Sequence, residues 1–316
     1  MDVLADALAA MRAGRPRSAR TEVRAPWGLR FPEITGAAFH LVAQGTCWLL
    51  PAGDRAAPTQ LFPGDVVLLR DGSAHALADD PGTPLADFRP ELDDPTSPIG
   101  HVRLDGPGAA ALLLCGAYQL GRDRPHPLMA ELPEVMYLPA QAGRHSGLKA
   151  TIDLLGAELE QRQPGGDGIV PALVDAMLLY ILRAWVQRQA GEPRGWAHAL
   201  MDPAVGRALA AIHAQPARPW TVQLLAATGG LSRSAFAQRF VALVGVPPLT
   251  YLTWWRMTTA ERLLRDSDHR LDTVGRQIGY TSEFAFGKAF KREFGVSPGR
   301  YRTGVASQRS VTASLR

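Results

Sequence analysis

Apolar positions change their period twice along the chain, and each change marks a new kind of element. Over residues 1–14, Val3, Leu4, Ala7, Leu8 and Met11 fall on one side of a short amphipathic helix. Arg12, Arg15, Arg17 and Arg20 follow and read as a solvated surface. From about Arg24 to Leu138 the pattern becomes short apolar runs set apart by Gly, Pro and Asp. Ala38–Ala43, Thr46–Leu50, Asp65–Leu69 and Ala111–Cys115 are examples, and their spacing predicts an all-β barrel or sandwich. From Gly147 to Arg194 the period lengthens to that of a helix. Leu148, Ile152, Leu155 and Leu159 form one stripe. After a Pro164–Gly168 loop, Ile169, Leu173, Ala176, Leu179, Tyr180, Leu182, Arg183 and Val186 form another. Such a helical hairpin serves as a dimer interface or as a buttress between domains, and the stripes alone leave both open.

The last hundred residues contain one construction twice. Ser282 is placed to cap a helix in which Phe286, Phe290 and Phe294 recur every fourth residue, and Gly295 with Pro298 ends it. About fifty residues earlier, Ser232 caps a helix with Phe236 and Phe240 before Gly245-Val246-Pro247. Each copy follows a short helical segment and a glycine-marked turn: Val222–Thr228 before Gly229-Gly230, and Thr273–Ile278 before Gly279-Tyr280. Helix, tight turn and capped second helix make a helix-turn-helix, whose second helix enters the major groove. Between the copies, Pro248–Arg265 keeps a helical apolar pattern at Leu249, Leu252, Trp255, Met257, Ala260, Leu263 and Leu264. A continuous helix there would hold two reading heads at a fixed separation, suited to groove segments about 34 Å apart. Ahead of them, Asp202-Pro203 opens a further helix over Ala204–His213 that packs on the first motif.

Charge agrees with this placement. From Gly195 onward there are 16 Lys+Arg against 7 Asp+Glu, net +9, while the first 194 residues hold 18 against 23, net −5. The basic part is where a phosphate backbone would lie. No run of eighteen apolar residues indicates a membrane span, and the acidic start lacks a signal-peptide core. Two cysteines, Cys47 and Cys115, are too few for a disulfide framework and fit a reducing cytoplasm.

The stretch from Trp220 to Arg302 strongly resembles the AraC/XylS family of transcription regulators. Ser232–Phe240, Tyr251–Met257, Ile278-Gly279-Tyr280 and Phe290–Pro298 carry the resemblance, which covers about a third of the chain. Gly275 departs from it, standing where the family usually has alanine. The resemblance implies double-stranded promoter DNA as partner, a homodimer, and leaves a contact with RNA polymerase open. On the first recognition helix Arg233, Ser234, Ala237 and Gln238 match the family's groove-facing positions; on the second, Glu283, Phe284, Gly287 and Lys288 do. Gln suits adenine, Glu the cytosine amino group, and Lys guanine or a phosphate. Arg239, Lys291, Arg292 and Arg300 are assigned to phosphates, and Trp220, Phe236, Phe240, Trp255, Phe286 and Phe290 to the core.

Gly64–His75 resembles the second motif of the cupin barrel, Gly-x5-Pro-x-Gly-x2-His, with Arg70 where proline is usual. The first cupin motif is not intact: His40 stands about where a ligand would lie, and Val42 occupies the second histidine position. With His40 and His75 as obvious ligands and only Asp71 or Asp79 as further oxygens, a metal-free pocket is preferred to a metal site. Cupin domains joined to this DNA-binding module imply sensing of a small effector or oxidant and dimerisation. His40, Cys47, His75 and Cys115 are therefore the pocket or redox candidates; buried cysteine is otherwise a small inert hydrophobe.

The expected fold is α+β: a cupin-like sensing barrel over 1–145, a helical linker or dimerisation segment over 146–194, an all-α double helix-turn-helix domain over 195–303, and a disordered tail over 304–316. No cofactor is expected, and no enzymatic activity. The alternative, a cupin metalloenzyme with a DNA-binding appendage, would need a full metal triad. A methyl-accepting repair regulator with the same helix-turn-helix would need a zinc-binding cysteine set, which two cysteines cannot supply.

Overall fold

The computed structural model describes residues 2–12, 16–53, 57–92, 99–118, 126–140, 146–161, 163–189 and 195–304. All of the expected 304–316 tail but Gly304, and residues 190–194 at the end of the expected linker segment, lie outside the described residues.

The chain opens with α1 (Val3–Met11), followed by the strands β1 (Arg17–Arg24), β2 (Gly28–Phe31), β3 (Ala37–Gln44), β4 (Cys47–Pro51), β5 (Thr59–Leu61), β6 (Val66–Leu69), β7 (His75–Ala78), β8 (Ala86–Asp87), β9 (Glu91–Leu92), β10 (Ile99–Leu104) and β11 (Ala110–Tyr118). A short helix, α2 (Pro127–Glu131), precedes β12 (Val135–Leu138). The strands form a seven-stranded sheet in the order β12-β6-β3-β11-β1-β10-β9 and a five-stranded sheet in the order β5-β4-β7-β2-β8. Their inner faces share one core that includes Val23, Leu29, Val42, Leu49, Val67, Leu77 and Leu113. The four strands expected from the apolar runs are present as β3, β4, β6 and β11.

β1 corrects the expected arginine-rich surface. It runs between β10 and β11, pairing parallel with the first and antiparallel with the second. Ala19, Thr21 and Val23 turn into the core, while Glu22 and Arg24 stay outside and Arg20 bonds Glu22 at 2.6 Å. A central strand is hidden here behind outward-facing charges, because alternate residues point to opposite faces.

The Gly64–His75 segment is built as its motif implies: β6, a turn in which Gly72 has φ +60, then β7. At the Arg70 position a proline would have no N–H to give. Here the Arg70 amide donates to Glu134 O at 3.0 Å and its guanidinium to Leu132 O at 2.7 Å.

α3 (Ser146–Gln161) buries Leu148, Thr151, Leu155 and Leu159, close to the expected stripe. α4 (Gly166–Arg188) begins inside the expected loop, and its buried face is differently phased. Val170, Val174, Met177 and Ile181 are fully buried, whereas Ile169 is 43% exposed and Leu173 and Ala176 are half-buried. A helix apolar on nearly every side gives no phase from hydrophobicity alone. α4 is long and apolar enough to cross a membrane, yet half of its most apolar window is buried in the fold. Asp175, on α4, accepts from Tyr118 Oη at 2.6 Å and also pairs with Arg12.

The remaining helices are α5 (Trp196–Met201), α6 (Pro203–Ala214), α7 (Val222–Gly229), α8 (Arg233–Val244), α9 (Pro248–Asp266), α10 (Leu271–Gln277) and α11 (Glu283–Phe294). The chain divides into two compact units, and not at the boundaries expected from sequence. The first unit gathers residues 1–11, 126–131 and 185–316; the second holds 12–125 and 132–184. Thus α1 and α2, expected in the barrel domain, pack with the C-terminal helices.

Candidate functional site

The helix-turn-helix pairs form from local rules. Thr221 Oγ1 accepts from the Leu224 amide to start α7, and Gly230, at φ +71, closes it in the left-handed region. Ser232 Oγ accepts from Ala235 N at 3.3 Å to start α8, and Ser282 Oγ from Ala285 N at 3.1 Å to start α11. Gly245 and Gly295 end these two helices with φ near +80 and +73.

Each recognition helix has one wholly buried face. Phe236 and Phe240 are buried on α8, Phe286 and Phe290 on α11, and Trp220 and Trp255 are also core, as expected. Around α11 the core joins Met257, Ala260 and Leu264 of α9 to Val274 and Ile278. α9 is continuous over 19 residues. Its buried set differs in detail from the expected one: Tyr251 and Trp254 are inside, and Leu249 is 41% exposed.

On the opposite face, Arg233, Ser234 and Gln238 are exposed and Ala237 is half-buried; Glu283, Phe284 and Lys288 are exposed and Gly287 is half-buried. Phe284 is 82% exposed, a large apolar side chain left in solvent while its neighbour Phe286 is fully buried. The structure therefore brings each predicted set together on one face. Lys291, Arg292 and Arg300 are exposed, Arg292 lying 3.5 Å from Glu293.

Arg239, expected at a phosphate, is engaged by a carboxylate while its side chain stays half exposed. Its Nε donates to Asp202 Oδ2 at 2.7 Å, and Nη2 lies 2.5 Å from the same oxygen. The other Asp202 oxygen caps α6 by accepting from Ala204 N and Val205 N at 2.9 Å. Backbone amides and Arg239 hold this carboxyl below its usual range against the opposing effect of burial, so Arg239 ties α8 to the start of α6.

In the barrel unit, His40 on β3 and His75 on β7 meet with Nε2 atoms 2.6 Å apart. Phe31 stacks on His75 at 4.9 Å between ring centres and meets His40 edge-on at 4.6 Å. Burial lowers both imidazole pKa values, that of His40 well below the ordinary one. His75 Nδ1 lies 2.7 Å from Ser73 O, a group that only accepts, so His75 holds its proton on Nδ1. His75 Nε2 is then an acceptor and His40 Nε2–H donates to it. His40 Nδ1 is left as a buried lone pair without a partner. The pair borders a cavity of about 200 Å³ whose wall also includes Arg17, Ile34, Phe88 and Cys115.

Asp71 and Asp79 do not join the histidines. Asp71 is held by Arg70, and Asp79 accepts from Trp27 N and Thr83 Oγ1. Among the described residues no group of three His, Cys, Asp or Glu is arranged to hold a metal ion. Two nitrogens fall short of the three protein ligands of a catalytic divalent site, so the residues present do not fit the metal known from other cupins. Both candidate cysteines are free and buried. Burial pushes both Cys47 and Cys115 up to about 12, and Thr21 Oγ1 donates to Cys115 Sγ at 3.8 Å. A thiol that holds its proton so firmly is a poor nucleophile toward oxidants.

A buried polar chain in the C-terminal unit was missed by sequence reasoning. His126 Nδ1 accepts from Leu128 N at 3.0 Å, which leaves its Nε2–H to donate to Tyr251 Oη at 3.3 Å. Tyr251 Oη–H then donates to His213 Nε2 at 2.7 Å, and His213 Nδ1–H faces Asp6 at 3.5 Å. Trp255 stacks on His213 at 3.7 Å. This chain joins α1, α2, α6 and α9. Its members are scattered from Asp6 to Tyr251, and no spacing in the sequence signals it.

Comparison with known proteins agrees with this architecture. The chain matches the Cupin family over residues 2–187 and a helix-turn-helix domain family over 225–304. An AraC-like transcription regulator of Streptomyces lividans is 34% identical over 302 residues, covering 96% of this chain and 98% of that protein. The HTH-type transcriptional regulator AlkR of Acinetobacter baylyi is 33% identical over 76% of this chain and 80% of its own length. The crystal structure of the DNA-binding domain of AdpA in complex with a target DNA is 34% identical over 34% of this chain and 97% of that one, with a TM-score of 0.33. A Cupin match over residues 2–187, a helix-turn-helix match over 225–304 and a relative 34% identical over nearly its whole length place this chain in the AraC-like family of DNA-binding transcription regulators.

Proposed function

We propose that this regulator reads two segments of promoter DNA through α8 and α11, with Arg233, Ser234, Ala237 and Gln238 on the first and Glu283, Phe284, Gly287 and Lys288 on the second. The observation that carries this reading is that both sets lie together on the face opposite a fully buried phenylalanine pair. Gln238 pairs with adenine, Glu283 accepts from a cytosine amino group, and Phe284 meets a thymine methyl. Lys291, Arg292 and Arg300 neutralise phosphates, giving affinity without sequence information. The barrel cavity binds a small effector and biases a homodimer between two presentations of its DNA-binding units. The half-exposed face of α3 and α4 around Leu154 and Ile169 forms the dimer contact. The protein acts in the cytoplasm, where bound dimers meet RNA polymerase.

Genome-fragment binding by purified protein at two salt concentrations, wild type beside Lys288→Ala, tests the first part. Sharp peaks near few promoters, relaxed in the variant, are expected. Uniform, steeply salt-sensitive binding untouched by the variant would reduce the basic unit to an electrostatic tether.

A further inference from the structure

The effector reading leaves the molecule's chemistry open; the cavity narrows it. Register along the seven-stranded sheet sets the cavity's depth. Cys115 pairs with His40 on one side and Ala19 on the other, so these three form one inward row. Two residues along, Ala117 pairs with Ala38 and with Arg17, forming the next inward row. Two strand residues are about 6.7 Å, roughly the length of one six-membered ring. The floor is therefore His40 with His75, and the rim carries Arg17, which is exposed and has no ion pair among the described residues.

The two ends ask for different groups. His40 Nδ1 is a buried lone pair, an acceptor with no donor. His75 has both ring nitrogens engaged, and the Cys115 thiol is bonded by Thr21. Floor complementarity therefore calls for one hydroxyl or amine hydrogen rather than an anion, since the one donor left there is the weak S–H of Cys115. The rim presents a guanidinium, the group that fits a carboxylate with two parallel bonds. Between them the wall is Phe31, Ile34, Phe88 and alanines, which suits an apolar ring. Volume agrees: an apolar cavity of about 150 Å³ holds benzene, and this one is about 200 Å³.

We propose that the barrel takes a single-ring aromatic carboxylate bearing a hydroxyl at the far end of the ring, with the hydroxyl donating to His40 Nδ1 and the carboxylate held by Arg17. This rests on the reading of the barrel as the effector site. Sugars, with donors on every side, would leave most of them unpaired against the phenylalanine wall. Long alkyl chains would fill the ring space and leave His40 unsatisfied.

Calorimetry on the full chain with 4-hydroxybenzoate, benzoate, phenol, toluene, arabinose and decanoate tests this. 4-Hydroxybenzoate should bind at least tenfold more tightly than benzoate, which lacks the floor donor, and tenfold more tightly than phenol, which lacks the rim anion. Arg17→Leu, a substitution at an exposed position, should bring 4-hydroxybenzoate to the level of phenol and leave phenol itself unchanged. His40→Leu should erase the difference between 4-hydroxybenzoate and benzoate; should that variant not fold, the wild-type ligand series alone still decides. Equal affinity for benzoate and 4-hydroxybenzoate, or an Arg17→Leu protein that binds the acid as wild type does, would overturn the proposal. Binding of arabinose or decanoate with no aromatic bound would overturn the ligand class and keep the barrel as effector site. Binding of none of the six, with DNA affinity also unchanged by each, would count against both.

Discussion

Among the described residues, four buried histidines make stability a function of pH at the level of single residues. His40 and His75 in the barrel, and His126 and His213 among the C-terminal helices, all have pKa values lowered first by desolvation. A folded pKa below the unfolded one means that the unfolded chain binds protons the native chain refuses. Stability is thus full above the unfolded value, about 6.5, and is lost as pH falls from there toward the folded values. Thermal melts should show Tm level between pH 7 and 8 and falling below about pH 6.5. His40→Leu, where it folds, should flatten that slope; an unchanged slope in every single-histidine variant would assign acid sensitivity to other groups. Two glycines offer a second residue-scale contrast. A Cβ at Gly229 would sit 2.8 Å from Ala204 Cβ and 3.0 Å from its Cα, forcing α7 off α6. At Gly275 the nearest atom is Phe286 Cβ at 3.2 Å, which can move by a few tenths of an ångström. Gly229→Ala should cost about 1–3 kcal/mol by overpacking. Gly275→Ala should come out within about 1 kcal/mol of neutral, because helix propensity gains about as much as the contact loses. Urea midpoints measure both.

At the scale of elements, caps and exposed faces separate stability from recognition. Ser282→Ala should destabilise the protein by about 1 kcal/mol, seen as a lower midpoint, because the Ala285 amide loses its acceptor at the start of α11. Phe284→Ala should leave the midpoint unchanged, since that ring is 82% exposed, while changing the preferred base at one operator position in a binding-site selection. The elements also divide by how legible they were. α8 and α11 were readable to the residue because caps, aromatic period and terminal glycines are local signals that agree. β3, β4, β6 and β11 were readable as uniformly apolar runs. β1 was not, since its arginines and glutamate mask the alternation that buries Ala19, Thr21 and Val23. The phase of α4 was not, since Ile169 and Val170 are equally apolar and only tertiary packing chooses between them. The His40–His75 contact was half legible: the motif places His75 at the head of its strand, but their pairing needs two sheets to face each other.

Across the whole molecule, the surplus of positive charge from residue 195 onward, net +9, predicts steep salt dependence of DNA binding. Affinity for any duplex should fall as salt rises, and Lys291→Ala should lower the slope of log K against log salt by about one phosphate contact without altering sequence preference. A slope that stays the same would remove Lys291 from the interface. The dividing lines between domains were the least legible feature at this scale. A composition change at residue 195 marks where the basic helices begin, but nothing in residues 1–11 or 126–131 announces that α1 and α2 belong with them.

That membership has a consequence for how the chain can be made and cut. Asp6 and His126 are made before His213 and Tyr251, with which they form one buried chain. α1 therefore finds its partners on α6 and α9 only after the intervening residues have been made. A fragment beginning at residue 195 therefore carries both recognition helices but leaves the ring faces of Trp196, Trp254 and Tyr251 open where His126 packs. Such a fragment should melt below the intact protein and regain stability when peptides spanning 2–12 and 126–131 are supplied together.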